Sequence, residues 1–213
     1  MIKKVAASSN SKKLSPFTRS IMTIQIPDQV HFDGKDYELA AVMGTNMCRP
    51  SDFGITAIGL CSACWRGYLN FYEYGNGELL LKEMWVNSNE PPPPINDNEA
   101  ISPDASMFAP LPIFQYVYRN LAFKSKFTGN ILIGRNLIKS RVPRVGFQDP
   151  ISYKTVKELR IKDGNVLEIL DTSAHMKRLR KEAKKCDQNK NSETQEGGKE
   201  WLATRFLLDT GSG

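Results

Sequence analysis

The chain has 213 residues, a hydrophobic share of 40% and a formal net charge of +6. That length can bury a core without disulfides or metals, and four cysteines are too few for a stapled secreted framework. A lysine-bearing N-terminus without a following apolar run is not a secretory signal, and no window approaches the roughly 18 apolar residues of a membrane span. A reducing, cytoplasmic setting is therefore expected.

Charge is unevenly laid out. Residues 1–21 carry five Lys/Arg and no acid, and residues 22–104 carry four basic and twelve acidic residues. Residues 105–148 carry seven basic residues and no acid, whereas 149–213 is nearly balanced. Such asymmetry marks either an acidic or nucleic-acid partner's face, or two halves that neutralise each other within one fold.

In chain order, residues 1–21 form a small, polar, basic extension with the composition of a disordered segment. From Met22, "MTIQIPDQVHFDGKDYELAAV" alternates apolar and polar residues around Asp33-Gly34, a two-residue hairpin signal. A second hairpin is expected where "CWRGYLNFYEY" meets "ELLLKEMWV" across Asn76-Gly77, with Tyr74 facing Leu79, Tyr72 facing Leu81 and Leu69 facing Met84. The run "NSNEPPPPINDNEAISPDAS" is a loop, polyproline in part. "PIFQYVYRNLAF" spaces Ile113, Tyr116, Val117 and Leu121 as a short helix would, although its aromatic and β-branched content also suits a strand. "FTGNILIGRNLI" has the pattern of a strand with glycine breaks. "YKTVKELRI", Asp163-Gly164 and "NVLEILD" form a third hairpin, with Ile161 opposite Val166 and Glu158 opposite Ile169. After Asp171, Ser173 can cap a helix whose apolar stripe is Met176, Leu179, Ala183 and Cys186. A flexible linker and the apolar segment "KEWLATRFLLD" follow. The terminal Gly-Ser-Gly resembles a cloning remnant and is set aside.

Three glycine-turn hairpins argue for a mainly β fold, with α+β possible: antiparallel hairpins around one core, one or two short helices and a C-terminal helical tail. The expected division is a basic extension over 1–21, a β-rich domain over 22–171, and a helix, linker and apolar docking segment over 172–213.

The motifs that suggest chemistry are weak. Cys61 and Cys64 form Cys-x-x-Cys, but on an extended strand positions i and i+3 point to opposite faces and cannot chelate one ion. With only Cys48, Cys186, His31 and His175 left, no second ligand pair follows. A thioredoxin-like pair needs a helix start after it, and none is signalled. "CSACW" also matches the surroundings of a papain-like nucleophile. Ile58, however, stands six residues before Cys64, where such an enzyme has glutamine, and no suitable histidine base is placed. "FLLDTGSG" resembles half of an aspartic-protease site, without the second Asp-Thr-Gly. No catalytic residue, cofactor or metal is assigned.

Binding is better supported. Trp65, Arg66 and Tyr68 make a polar-aromatic cluster, since an Arg among aromatic rings suits cation–π or carboxylate contacts. Trp201, Leu202, Phe206 and Leu207 suit docking on this domain or on another protein. The alternative is nucleic acid. Arg119, Lys124, Lys126, Arg135, Lys139, Arg141 and Arg144 interleave with Phe108, Phe114, Tyr116, Tyr118, Phe123, Phe127 and Phe147, and Lys177, Arg178 and Arg180 lie on the basic helix. Aromatic residues at this density also fit a core. A protein partner is the leading expectation.

The stretches "IPDQVHFDGKDYEL", "CWRGYLNFYEYGNGELLL", "FTGNILIGR" and "GFQDPISYKTVKELRIKDGNVLEI" resemble a group of small, functionally unassigned bacterial proteins. The resemblance spans roughly residues 22–171, and Trp65-Arg66-Gly67-Tyr68 is its most specific element. It implies that 22–171 is the domain and that the basic N-terminus and 174–213 are additions. It implies no activity, cofactor or catalytic residue.

Overall fold

The computed structural model describes residues 24–103, 114–141 and 146–189. The basic extension, Phe108, Arg144, the linker and the apolar segment with Trp201, Leu202, Phe206 and Leu207 lie outside the described residues.

The fold is mainly β. Its strands are β1 (Gln29–Phe32), β2 (Lys35–Thr45), β3 (Tyr68–Gly75), β4 (Glu78–Val86), β5 (Tyr116–Tyr118), β6 (Phe123–Lys124), β7 (Thr128–Leu137), β8 (Tyr153–Lys162) and β9 (Asn165–Asp171). Among the described residues one α-helix, α1 (Ser173–Asn189), follows. Seven strands close a barrel in the order β3-β1-β2-β7-β8-β9-β4 and back to β3, while β5 and β6 pair with β4 outside the ring.

The three hairpins form as their turn residues dictate. Asp33-Gly34, Asn76-Gly77 and Asp163-Gly164 all adopt positive φ at both positions, the requirement of a type I′ turn. Register agrees near each turn: Tyr74 opposes Leu79, Tyr72 opposes Leu81, and Ile161 opposes Val166. Farther out, a β-bulge intervenes in both longer hairpins. Leu69 therefore opposes Trp85 rather than Met84, and Glu158 opposes Leu170 rather than Ile169. The extra residue is Lys82 in one case and Leu167 in the other, and each bulge adds the local bend that a closed sheet needs.

One pairing is not a hairpin at all. β1 lies parallel to β3, with Val30 beside Tyr72, and this contact helps to close the ring. The weakest seam is between β9 and β4. It rests on the register pair Glu78 and Asn165 and on two flanking bonds, Leu79 N–H to Gly164 O at 2.9 Å and Val166 N–H to Gly77 O at 2.7 Å.

Inside the ring, Val30, Tyr72, Leu79, Leu81, Met84, Phe127, Ile131, Ile133 and Leu159 are fully buried in one cluster. Among the described residues of 113–121 the helical expectation fails. Tyr116, Val117 and Tyr118 form β5 along the outer half of β4, where β-branched and aromatic side chains pack better than on a helix. The Tyr118 hydroxyl donates to the Pro93 carbonyl at 2.6 Å and ties the proline run to β5; burial pushes this phenol up to about 12.

α1 is not a free appendage. Met176 is buried with Leu132, Tyr153 and Val156, and Leu179, Ala40, Ala41 and Met43 pack around them. Ser173 does not cap α1 with its side chain as expected. Its hydroxyl exchanges hydrogen bonds with Val156, receiving from the N–H at 3.0 Å and donating to the carbonyl at 3.3 Å. The acceptor at the helix start is Asp171, whose carboxylate takes the Ser173 N–H at 2.9 Å.

Hydrogen bonding from Ser173 holds the Asp171 carboxyl below its ordinary value. A depressed folded-state pKa gives a contribution that is complete above the unfolded value of about 3.9 and lost as pH falls through the lower folded value. Replacing Asp171 with Asn should therefore lower stability near neutral pH and flatten the loss of stability below about pH 4. Urea titrations followed by circular dichroism across this range check both effects.

Candidate functional site

The segment before β3 is where the fold departs most from a simple strand. Residues 61–68 are a compact double turn, not an extended run: Cys64 N–H bonds Cys61 O at 3.2 Å, and Gly67 N–H bonds Cys64 O at 3.1 Å. The strand expected through Cys61 and Cys64 is thus corrected, since β3 begins only at Tyr68. The turn brings the two cysteines together as partners of a local bridge. Both are free thiols, and Cys64 is buried and donates to the Tyr68 carbonyl at 3.3 Å. Burial pushes the Cys64 thiol up from its usual range, the opposite of an activated nucleophile. Among the described residues, no group of three His, Cys, Asp or Glu is placed to hold a metal ion.

Two glycines allow the turn to cross its own chain. A Cβ on Gly67, whose φ is +73°, would stand 2.1 Å from the Ile58 carbonyl oxygen. A Cβ on Gly59 would stand 2.2 Å from the Trp65 carbonyl oxygen. The segment before β1 clamps the other side: Trp65 N–H bonds Gln25 Oε1 at 3.1 Å, Ile26 N–H bonds Ala63 O at 2.9 Å, and Gln25 Nε2 donates to Ser62 O at 2.6 Å.

This scaffold fixes Arg66. Its guanidinium grips Asp28 in a two-pronged pair, Nη2 to Oδ1 at 2.6 Å and Nη1 to Oδ2 at 3.2 Å. Asp28 Oδ1 also accepts the Asn70 N–H at 2.7 Å. Asn70 is fully buried and donates on to Cys48 O at 2.9 Å and to the Tyr72 hydroxyl at 3.1 Å. Burial pushes the Asp28 carboxyl above the ordinary carboxylate range, against the pull of the Arg66 charge. Burial acts to lower the Arg66 pKa, and the Asp28 charge and hydrogen bond reverse it, so the guanidinium stays protonated. Arg66 lies 4.7 Å from the Tyr68 ring centre and 5.6 Å from that of Phe147, close enough for cation–π attraction.

The pair lines a cleft of about 330 Å³ together with residues 39–42 of β2, Tyr68 and Phe147. Met47, Cys48 and Arg49 line the same cleft. Such a volume is at the lower end of sites that take small ligands or side chains. Two of its lining residues are exposed apolar side chains, Val42 at 41% and Phe147 at 40%, and in the segment that leads to Arg66 Leu60 is 56% exposed and Trp65 51%. Of the expected cluster, Arg66 and Tyr68 meet in the cleft, while Trp65 stands outside it. Asp28, Arg49, Asn70 and Phe147 complete the site and carry no sequence signal that links them, because Asp28 reaches Arg66 across 38 positions of chain.

The basic set is not gathered on one face. Lys124 is held by Glu78 at 2.6 Å and Asn165 at 2.8 Å, next to the turn that ends β8. Arg180 donates to Ile151 O and Tyr153 O at the opposite end of β8, where Arg141 reaches the Arg180 carbonyl at 3.4 Å. Ten residues of strand separate the two groups by about 30 Å. Arg135 lies half-buried on β7, and Arg119, Lys126, Lys139, Lys177 and Arg178 are exposed on four separate segments. The expected stacking partners are mostly core: Phe114, Tyr118 and Phe127 are buried, Tyr116 and Phe123 are half-buried, and Phe147 alone among the described ones is exposed.

No family model, curated protein or solved structure matches the chain. No helix among the described residues is long and apolar enough to cross a membrane.

Replacing Asp28 with Asn leaves the Arg66 charge without its partner in a largely buried site. The expected loss is about 3 kcal/mol, the lower end for breaking such a pair because Arg66 keeps some contact with water. A Gly67→Ala chain should lose at least as much, since a positive φ and a backbone clash act together. Urea midpoints measure both, and a change within about 0.5 kcal/mol, the ordinary range for surface positions, would remove the structural role given to this turn.

Proposed function

We propose that the chain is a non-catalytic binding or accessory protein that acts through contact with other proteins, in a reducing, cytoplasmic setting. The observation that carries this reading is the cleft lined by the pair of Arg66 and Asp28 and by the exposed Val42 and Phe147, with Trp65 exposed on the same double turn as Arg66. Exposed aromatic residues around a fixed arginine are the side chains that dominate protein interfaces. Asp28 and Arg66 are committed to each other and to the backbone, so they shape and charge the site rather than offer a free base. Residues 201–208 are a second candidate contact, in which Trp201, Leu202, Phe206 and Leu207 supply the apolar side chains.

One observation keeps nucleic acid as a second reading. The described side chains of α1 expose Lys177, Arg178, Lys181, Lys184 and Lys185, with Glu182 as the single acid among them. A basic ridge of this kind can follow phosphates without reading sequence.

Tagged full-length chain used as bait, with both protein and nucleic acid identified in the eluate, separates the two. A defined protein set that is lost on Trp65→Ala and Phe147→Ala, or on deletion of 187–213, supports the leading reading. An unchanged set in all of these variants would sink it. For the second reading, the measurement is a gel-shift titration across salt, and the absence of binding at low ionic strength removes it.

A further inference from the structure

β2 is longer than its partner on one side. Gln29 opposes Glu38 at the end of β1, and the ladder gains one more bond, Leu39 N–H to Asp28 O at 2.7 Å. Pro27 then stops it. A proline has no N–H to give, and the chain before it turns away, so that Ile26 N–H goes to Ala63 O in the double turn. Residues 40–45 of β2 keep β7 on one side and, among the described residues, have no strand on the other.

Natural sheets guard such an edge with charge, proline or a cover. The segment "AAVMGT" over 40–45 has no charged residue and no proline, and its single irregularity is the bulge at Ala40. It is not a flat outer edge either. Residues 39–42 line the same cleft as Tyr68 and Phe147, so the unpaired edge borders a slot with aromatic lining. Unpaired strand backbone beside apolar side chains suits the addition of an extended chain. Its charged lining residues, among those described, are Asp28 and Arg66, which offset each other, and exposed Arg49. The balance is positive.

We infer that the open edge of β2 over residues 40–45 is a strand-addition site for an extended, apolar segment of a partner protein that carries an acidic residue. The added segment hydrogen-bonds the edge, places apolar side chains against Val42 and Phe147, and sets its carboxylate on Arg49. The inference rests on the protein-contact reading above and names the mode of that contact.

The test uses the full chain as bait for a displayed library of random peptides, then titrates the enriched peptides into isotope-labelled protein. Acidic, apolar sequences should dominate, and the amide signals of residues 41–45 should shift on binding. Peptides N-methylated on alternate residues provide the sharper check, because they remove the strand's hydrogen bonds without altering the protein. One frame of methylation should abolish binding and the other leave it intact. Arg49→Glu should weaken the acidic peptide by about tenfold and strengthen its lysine counterpart.

Binding that tolerates both frames, or that shifts signals elsewhere, overturns strand addition while leaving a protein-contact role standing. Failure to enrich any peptide also overturns it, and the bait experiment above then decides that broader role separately. If the amides of 41–45 are already slow to exchange in the unliganded full chain, a segment of this chain fills the slot and the partner assignment falls.

Discussion

The pair of Arg66 and Asp28 is the constraint on which the upper part of this barrel depends. A buried carboxylate is costly unless its lone pairs and its charge are met, and here three donors meet them: two from Arg66 and one from Asn70. The pair joins the segment before β1 to the turn before β3. It thereby sets the distance between those two strands, which run side by side in parallel. The network continues through Asn70 to Cys48 and Tyr72, so the loop after β2 is referenced to the same point. Tyr68 and the loop at Cys48, two parts of the cleft lining, are thus tied to one ion pair.

The same pair explains why the cleft holds charge among apolar side chains. Arg66 cannot turn outward without stranding Asp28, so its charge stays between Tyr68 and Phe147. The opening itself comes from a different cause, the proline that ends the β1 ladder and diverts the chain toward the turn of Cys61 and Cys64. Among the described residues the closed barrel thus carries one partly unzipped strand, and the unzipped part borders the cleft that the fixed arginine lines.

What could be seen in the sequence was whatever depends on neighbours along the chain. Asp33-Gly34, Asn76-Gly77 and Asp163-Gly164 announce their hairpins, because the turn geometry admits few other residues. The register next to each turn follows for the same reason. Bulges escaped, since Lys82 and Leu167 are extruded by the curvature of the whole barrel and not by any local preference. The double turn at 61–68 reads as a strand in the sequence because the alternation that begins at Tyr68 masks the turn before it. Its true signal was present in Gly59 and Gly67, spaced to let the chain pass close to itself. In the site, Arg66 and Tyr68 were visible as a motif. Asp28 was not, because a contact over such a separation leaves no periodic trace, and Phe147 was grouped with aromatic residues that turned out to be core.

The way the ring closes has a consequence for how it forms. Each hairpin joins residues close in sequence and can assemble within microseconds. Closing the ring needs the parallel contact of β1 with β3 and the short seam between β4 and β9, both of which bring distant parts of the chain together at a loop-closure cost. The hairpins are therefore early and the closure late. Because the β4–β9 seam holds so few backbone bonds, it is also the place where the native barrel can part most readily, a local breathing mode that leaves the three hairpins intact.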